Sequence, residues 1–259
     1  MSLWSALERK AELRRRAGLR RQVAPRPPES GVIDLAGNDY LGLSRHPMVL
    51  SVAAQTLEAF GLGAGGSRLV RGSTDAHAAL ETRLGELLNA SALVYSSGYL
   101  ANLGAVRALC RKGTLLIRDA HAHASLIDGC GLAGVAVEVA AHNDVDAVRD
   151  LLKDHNGHAV VVVESIYSVD GDAAPLAELS EVCRAHDAIL LVDEAHALGV
   201  LGPDGAGRVA AAGLSGAEHV VVTATLSKAL GAAGGVIAGP EALRRHLIDT
   251  GRTFIFDTA

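Results

Sequence analysis

The stretch TATLSKALGAAGG, Thr223 to Gly235, sets one lysine among small and apolar residues, directly after the apolar run HVVVTA. A lysine amine taken out of water loses its charge more easily, and then serves as a base and as a nucleophile toward carbonyl carbon. Most lysines beside apolar surface instead lie along it and keep the ammonium wet, so Lys228 alone decides nothing. Its companions carry the argument. Five apolar, strand-like runs are followed by SSGY, DAHAHAS, ESIYSVDGD, DEAH and TLSK, which brings Gly, His, Ser, Asp and Lys to five strand ends. In an open α/β sheet, ligands bind outside the carboxyl ends of the strands.

Three ligand chemistries compete for such an edge. LLVDEAH has the form of the magnesium-holding strand of an ATPase, but that chemistry also needs GxxxxGK[ST], and none of Lys10, Lys112, Lys153 and Lys228 follows a glycine. GLGAGG, Gly61 to Gly66, matches a dinucleotide fingerprint, yet it follows a helical pattern (Met48 to Phe60) where that fingerprint needs a strand. The third chemistry uses all five ends: an aldehyde cofactor held by Lys228, with a ring nitrogen that a buried acid must keep protonated. Asp193, closing a fully apolar strand, is placed for that proton, because an unpaired carboxylate there would be costly. His123 and His196 are available to stack on the ring or to bond its phenolic oxygen. A phosphate would take the N–H groups of Gly98 and Tyr99 at a helix start, completed by the hydroxyls of Ser168 and Thr225.

The elements that must position these residues are legible as seven runs: 92–97, 114–119, 135–140, 159–165, 188–194, 219–224 and 234–239. Several are apolar on both faces, which predicts a mostly parallel α/β sheet covered by helices on both sides. The last two runs are too close together for a helical crossover, so the seventh strand is expected to run antiparallel. The expected organisation is an N-terminal helical arm and proline-rich linker (1–45), a large cofactor-binding α/β domain (46–240), and the start of a connection (241–259). Within the arm, Leu3, Leu7 and Ala11 have helical spacing, and the arginines from Arg14 to Arg21 read as a solvated face interrupted by Glu8 and Glu12. Nucleic-acid binding by that cluster is the rival from another class.

Of the 259 residues 49% are hydrophobic and 3% aromatic, enough for a large core built from Val, Leu, Ile and Ala. A net charge of −5 offers no general attraction to nucleic acid or anionic membrane. No apolar run approaches the roughly 18 residues that a membrane span needs. Cys110, Cys130 and Cys183 are odd in number and form no CxxC, so neither a disulfide framework nor a zinc site is expected, and a reducing cytoplasm is. No metal site is expected, and His46, His77 and His142 read as surface or structural.

LLVDEAHALG, followed by TLSK with Lys228 placed 35 residues after Asp193, resembles the fold-type I pyridoxal-phosphate enzymes. NDYLGLSRHP, GAGGSRLVRGSTDAHAALE, SSGYLANLGAV, HASLIDG and SVDGD resemble one family among them, the α-oxoamine synthases, from about Arg14 to the last residue. The resemblance implies that pyridoxal 5'-phosphate is bound by Lys228, its ring nitrogen paired with Asp193 and its ring stacked on by His123. It further implies His196 and Ser168 at the phenolic oxygen, Thr225 at the phosphate, and Arg20 and His123 near the acyl substrate, with Arg21 an alternative register for Arg20. SSGY is similar to the members that join L-alanine to a pimeloyl thioester, on CoA or a carrier protein, in biotin assembly. 5-Aminolevulinate synthases tend to carry alanine at the Gly98 position and 2-amino-3-ketobutyrate CoA ligases cysteine, and both stay open as alternatives. Ala197 stands where relatives commonly have glycine. Family members are homodimers and continue into a small C-terminal domain, so a chain ending at Ala259 is expected to lack substrate contacts and to be inactive alone.

Overall fold

The computed structural model describes residues 2–25, 31 and 33–259. The expected proline-rich linker, 24–31, lies largely outside the described residues. The chain forms two compact units, Met1–Gly37 and Asn38–Ala259. In the first, helix α1 (Leu3–Arg16) starts at Ser2, whose Oγ accepts the Ser5 N–H at 3.2 Å, and ends on Arg14, Arg15 and Arg16, cations that suit the negative end of a helix. It buries no residue, and Glu12 binds both Arg15 (2.6 Å) and Arg16 (2.9 Å).

The second unit contains α2 (Pro47–Phe60), α3 (Asp75–Leu88) and a seven-stranded sheet. Its strands are β1 (Ser91–Tyr95), β2 (Leu115–Asp119), β3 (Ala136–Ala140), β4 (Ala159–Glu164), β5 (Ala188–Asp193), β6 (Val220–Thr225) and β7 (Gly235–Gly239). They lie in the order β1-β7-β6-β5-β4-β2-β3, and β7 runs antiparallel to both its neighbours while the other six are parallel, as the short connection from β6 requires. β4, β6 and β7 are buried at every residue, which explains why their sequences carry apolar residues on both faces.

Helices cover both faces. On one, α3, α6 (Val145–Lys153) and α7 (Leu176–Ala185) pack on Val161, Val163, Leu190, Val192 and Val222. On the other, α4 (Gly98–Leu109), α5 (Ala124–Leu132), α9 (Glu241–Thr250) and α10 (Arg252–Ile255) cover Leu116, Val160, Val162, Leu191, Val221 and Ile237. A short α8 (Arg208–Ala211) precedes β6. Alternation along the strands puts Glu164, Asp193 and Thr223, which are register partners, on the α4/α5 face at the carboxyl ends of β4, β5 and β6. β7 starts at Gly235, where a Cβ would lie 2.4 Å from the Ser97 carbonyl oxygen, so no side chain fits.

Beside β1, Glu81 of α3 is bound by Arg68 (2.9 Å) and Arg244 (3.2 Å) and accepts the Val94 N–H at 3.0 Å. The three cysteines are unpaired, and burial pushes the thiols of Cys110, Cys130 and Cys183 up to about 12, 11 and 12. Among the described residues no helix is long and apolar enough to cross a membrane.

Candidate active site

Lys228 sits in the loop after β6, half-buried, with Nζ 2.7 Å from Nε2 of His196, in the loop after β5. The other imidazole nitrogen, Nδ1, lies 2.7 Å from the Tyr40 hydroxyl, which donates to Oδ1 of Asn38 at 3.0 Å. Because the phenolic proton goes to Asn38, His196 donates from Nδ1 and Nε2 is left to accept from Lys228. Burial, with the charges of Lys228 and His123, holds the His196 imidazolium down to about 4, so the ring is neutral near pH 7. Burial also lowers the Lys228 pKa, against the opposing pull of Asp193 and Glu164. A lysine of this kind reaches its neutral, nucleophilic form at lower pH than a solvated one.

Asp193 is 5% exposed, and its carboxylate meets only neutral donors: Asn102 Nδ2 at 2.7 Å and the Ala195 N–H at 2.9 Å. Burial raises its pKa, and the bonds from Asn102 and Ala195 with the charges of Lys228 and His123 offset that only in part. Glu164 stands beside it, 2% exposed, accepting the Ser168 N–H at 3.2 Å with Oε2 while Oε1 has no partner among the described residues. Burial and the neighbouring Asp193 push Glu164 up to about 7. Two buried carboxylates without a bonded cation make an electronegative floor that favours a cation placed on it.

His123 caps α5 and is exposed; its Nδ1 receives the Ser125 N–H at 3.2 Å and lies 2.8 Å from Ser125 Oγ, which in turn lies 2.8 Å from Asn102 Nδ2. At the start of α4, Ser97 accepts from Leu100 N (3.2 Å) and Ala101 N (3.0 Å), leaving Gly98 and Tyr99 as the first-turn N–H groups with no intrahelical carbonyl to bind. A Cβ on Gly98 would lie 3.0 Å from Thr225 Cβ, so glycine lets the helix start close against β6. Thr225 Oγ1 in turn lies 2.7 Å from Ser227 Oγ. This corner offers the backbone donors of Gly98 and Tyr99 to an anion, next to the lysine loop, while the Thr225 hydroxyl donates to the Gly234 carbonyl oxygen at 3.1 Å.

The structure therefore brings Lys228 to His196, ties Asp193 to His123 through two intermediaries, and sets Gly98 against Thr225. Tyr99 contributes only its backbone there, since its hydroxyl binds Asp128 of α5. Ser168 engages Glu164 through its N–H. Arg20 lies exposed in the first unit. Sequence reasoning passed over Tyr40, Asn102, Ser125 and Glu164. Glu164 carried the signal that exposed Asp193, an acid closing an apolar strand, and Asn102 lies one helical turn beyond Gly98. A side cluster joins His121, His142 and Asp170, whose ligating atoms lie within 4.8 Å of one another. Both nitrogens of His142 are already bound, to Asp119 and Asp172 at 2.8 Å each, and Asp170 binds His121, so the cluster works as a strap between loops. A cavity of about 440 Å³ lined by Arg107, Lys112 and Arg252 opens at the amino ends of β2 and β3, the edge opposite Lys228.

These groups fit a phosphorylated pyridine aldehyde: an amine for the carbonyl, a buried acid that no cationic side chain binds for the ring nitrogen, and a corner of backbone amides for the phosphate. Comparison with known proteins points the same way. Over 250 residues the chain is 57% identical to 8-amino-7-oxononanoate synthase of Mycolicibacterium smegmatis, covering 95% of this chain and 65% of that relative. The chain thus spans just under two thirds of that relative's length. A serine palmitoyltransferase variant from S. paucimobilis, solved with a bound PLP–myriocin aldimine, superposes with a TM-score of 0.90 at 31% identity, covering all of this chain and 69% of that one. An 8-amino-7-oxononanoate synthase from Francisella tularensis gives a TM-score of 0.75 at 28% identity over 88% of this chain and 64% of that one. Residues 30–259 match the model of the class I and II aminotransferases, and the chain belongs to that family.

Proposed function

We propose that the protein condenses L-alanine with a pimeloyl thioester, releasing the thiol and CO₂ and giving 8-amino-7-oxononanoate, with pyridoxal 5'-phosphate held at Lys228. The observation that carries this reading is the uncompensated, buried Asp193 on the same strand edge as the His196-bound Lys228. The likeness to the M. smegmatis relative supports the choice of substrates. When bound, the cofactor supplies an aldehyde that takes an amine and a protonated ring that draws off the electron pair left at the amino acid's Cα. Asp193 holds the ring-nitrogen proton, because a carboxylate stabilises a pyridinium as no neutral group does. Lys228 binds the aldehyde and, displaced by alanine, takes the Cα proton; its lowered pKa brings the neutral amine nearer to neutral pH. His196 steadies the lysine from one side and stays uncharged while doing so. Gly98, Tyr99 and Thr225 hold the phosphate, His123 stacks on the ring, and Ser168 and His196 bond the phenolic oxygen.

A homodimer is part of the proposal: α2 buries no residue, yet Met48, Leu50, Val52 and Leu57 are all about half exposed or more, an apolar surface that a second copy would cover. The unpaired cysteines fit a cytoplasmic setting. Nucleic-acid retention by α1 is not expected, since Glu12 already binds Arg15 and Arg16. Borohydride reduction of the cofactor-loaded protein followed by peptide mapping tests the site: the adduct is expected on Lys228, and an adduct on Lys10, Lys112 or Lys153, or none, overturns it. Product formation from L-alanine against glycine, with pimeloyl, succinyl and acetyl thioesters, tests the substrates.

A further inference from the structure

Asp193 and His123 are joined by a line of hydrogen bonds whose direction is fixed by its two ends. At one end the Asp193 carboxylate only accepts, so Asn102 turns its amide nitrogen toward it, at 2.7 Å. The second hydrogen of that nitrogen goes to Ser125 Oγ at 2.8 Å. Ser125 Oγ keeps its own proton and lies 2.8 Å from His123 Nδ1. At the other end the Ser125 backbone N–H, which can only donate, reaches the same Nδ1 at 3.2 Å. The backbone N–H requires a lone pair on Nδ1, which in turn makes the Ser125 hydroxyl the donor to it and places the ring proton on Nε2. Asn102, Ser125 and Asp193 are 4%, 1% and 5% exposed, so water does not compete for the bonds among these three. Asn102 Oδ1 is buried without a partner among the described residues, a cost that an apolar side chain in its place would avoid.

We propose that Asn102 and Ser125 are positioning residues that make Asp193 and His123 one polarised unit, keeping Asp193 as the acceptor and His123 as the neutral Nε2–H tautomer. The ring-stacking imidazole then presents a donor outward, and its donor character depends on the charge of the carboxylate beneath the ring nitrogen. The inference rests on the proposed function only in giving Asp193 and His123 a cofactor.

The test is the tautomer itself, read by long-range proton–nitrogen correlation on the chain labelled in its histidine rings, without pyridoxal phosphate and then with it, His123 being assigned with H123N. The parent is expected to show Nε2–H in at least about fivefold excess, the ratio that one net hydrogen bond supports. Ser125→Ala should reduce that excess at least about twofold and Asn102→Ala by less, while Ser125→Thr, which keeps the hydroxyl, restores it. A Nδ1–H or doubly protonated His123 in the parent near pH 7.5, or an unchanged ratio in Ser125→Ala, overturns the proposal. The parent spectrum decides the tautomer even if Asn102→Ala does not fold. The cofactor-free spectrum is independent of the lysine mapping, so either can fail while the other stands.

Discussion

Two buried acid sites in this molecule are built in opposite ways. Beside β1, Glu81 is closed: Arg68 and Arg244 bind its two oxygens and a backbone N–H adds a third bond. At the ends of β4 and β5, Glu164 and Asp193 are left with neutral donors, and one oxygen of Glu164 has no partner among the described residues. Burying a carboxylate is costly, and a fold that needs one only for structure supplies its cation from its own chain. The open pair has Lys228 in its field and a strand edge in front of it. At the second place the fold gives up stability to keep room for a cation from outside, which the proposed function identifies as a protonated ring nitrogen.

The largest expected effect breaks the open site at its amine. Lys228→Ala should eliminate the borohydride-fixed adduct and slow exchange of the alanine α-proton at least about 10³-fold in the whole protein, the scale of losing a base and a nucleophile together. Next comes Asp193→Asn, expected to let the cofactor bind yet slow the same exchange by about 10²–10³-fold, as befits loss of a charge-assisted bond in a dry site. The unfolding midpoint of that variant should stay level or rise, because a buried charge has been removed. A midpoint several degrees lower would mean that Asp193 is a structural acid like Glu81.

Glu81→Gln supplies the converse. It leaves two arginines facing a neutral amide and should cost about 3 kcal/mol in a denaturant titration while the adduct on Lys228 still forms. Loss of the adduct with stability intact would dissolve the contrast between the two regions.

The smallest effect is a pH dependence. The Glu164 carboxyl ionises near its ordinary value of 4.5 when unfolded and near 7 when folded, so between those values the folded state holds the extra proton. Stability contributed by that proton is complete below pH 4.5 and is lost as pH rises toward 7. Glu164→Gln should remove this slope and leave the chain more stable than the parent above the window. A steeper fall in the variant, measured by denaturant titrations from pH 4 to 8, would contradict the assigned ionisation.

Most of the fold was open to sequence reading, because strands buried on both faces, such as β4, β6 and β7, write themselves as apolar runs, and the short β6–β7 connection dictates the reversed strand. Lys228, Asp193 and His123 became candidates for a related reason: polar groups at or just after the end of an apolar strand stand out against it. Glu164 did not stand out, although it closes β4 in the same way, because no cofactor atom had been reserved for a second acid. Asn102 was hidden inside a helix pattern, and only the packing of α4 on α5 shows that it reaches Ser125 and Asp193. The Tyr40–His196 bond joins residues 156 apart in sequence, a distance over which neither periodicity nor spacing carries information.

In the proposed function the buried Asp193 carboxyl, which no cationic side chain binds, keeps the cofactor's ring nitrogen protonated. Nitrogen-15 resonance of pyridoxal phosphate labelled at the ring nitrogen, bound to the protein from pH 6 to 8, measures that state directly. A protonated ring nitrogen throughout this range in the parent, becoming unprotonated in Asp193→Asn, is the expected result; an unprotonated nitrogen in the parent, or one indifferent to the substitution, would contradict the account.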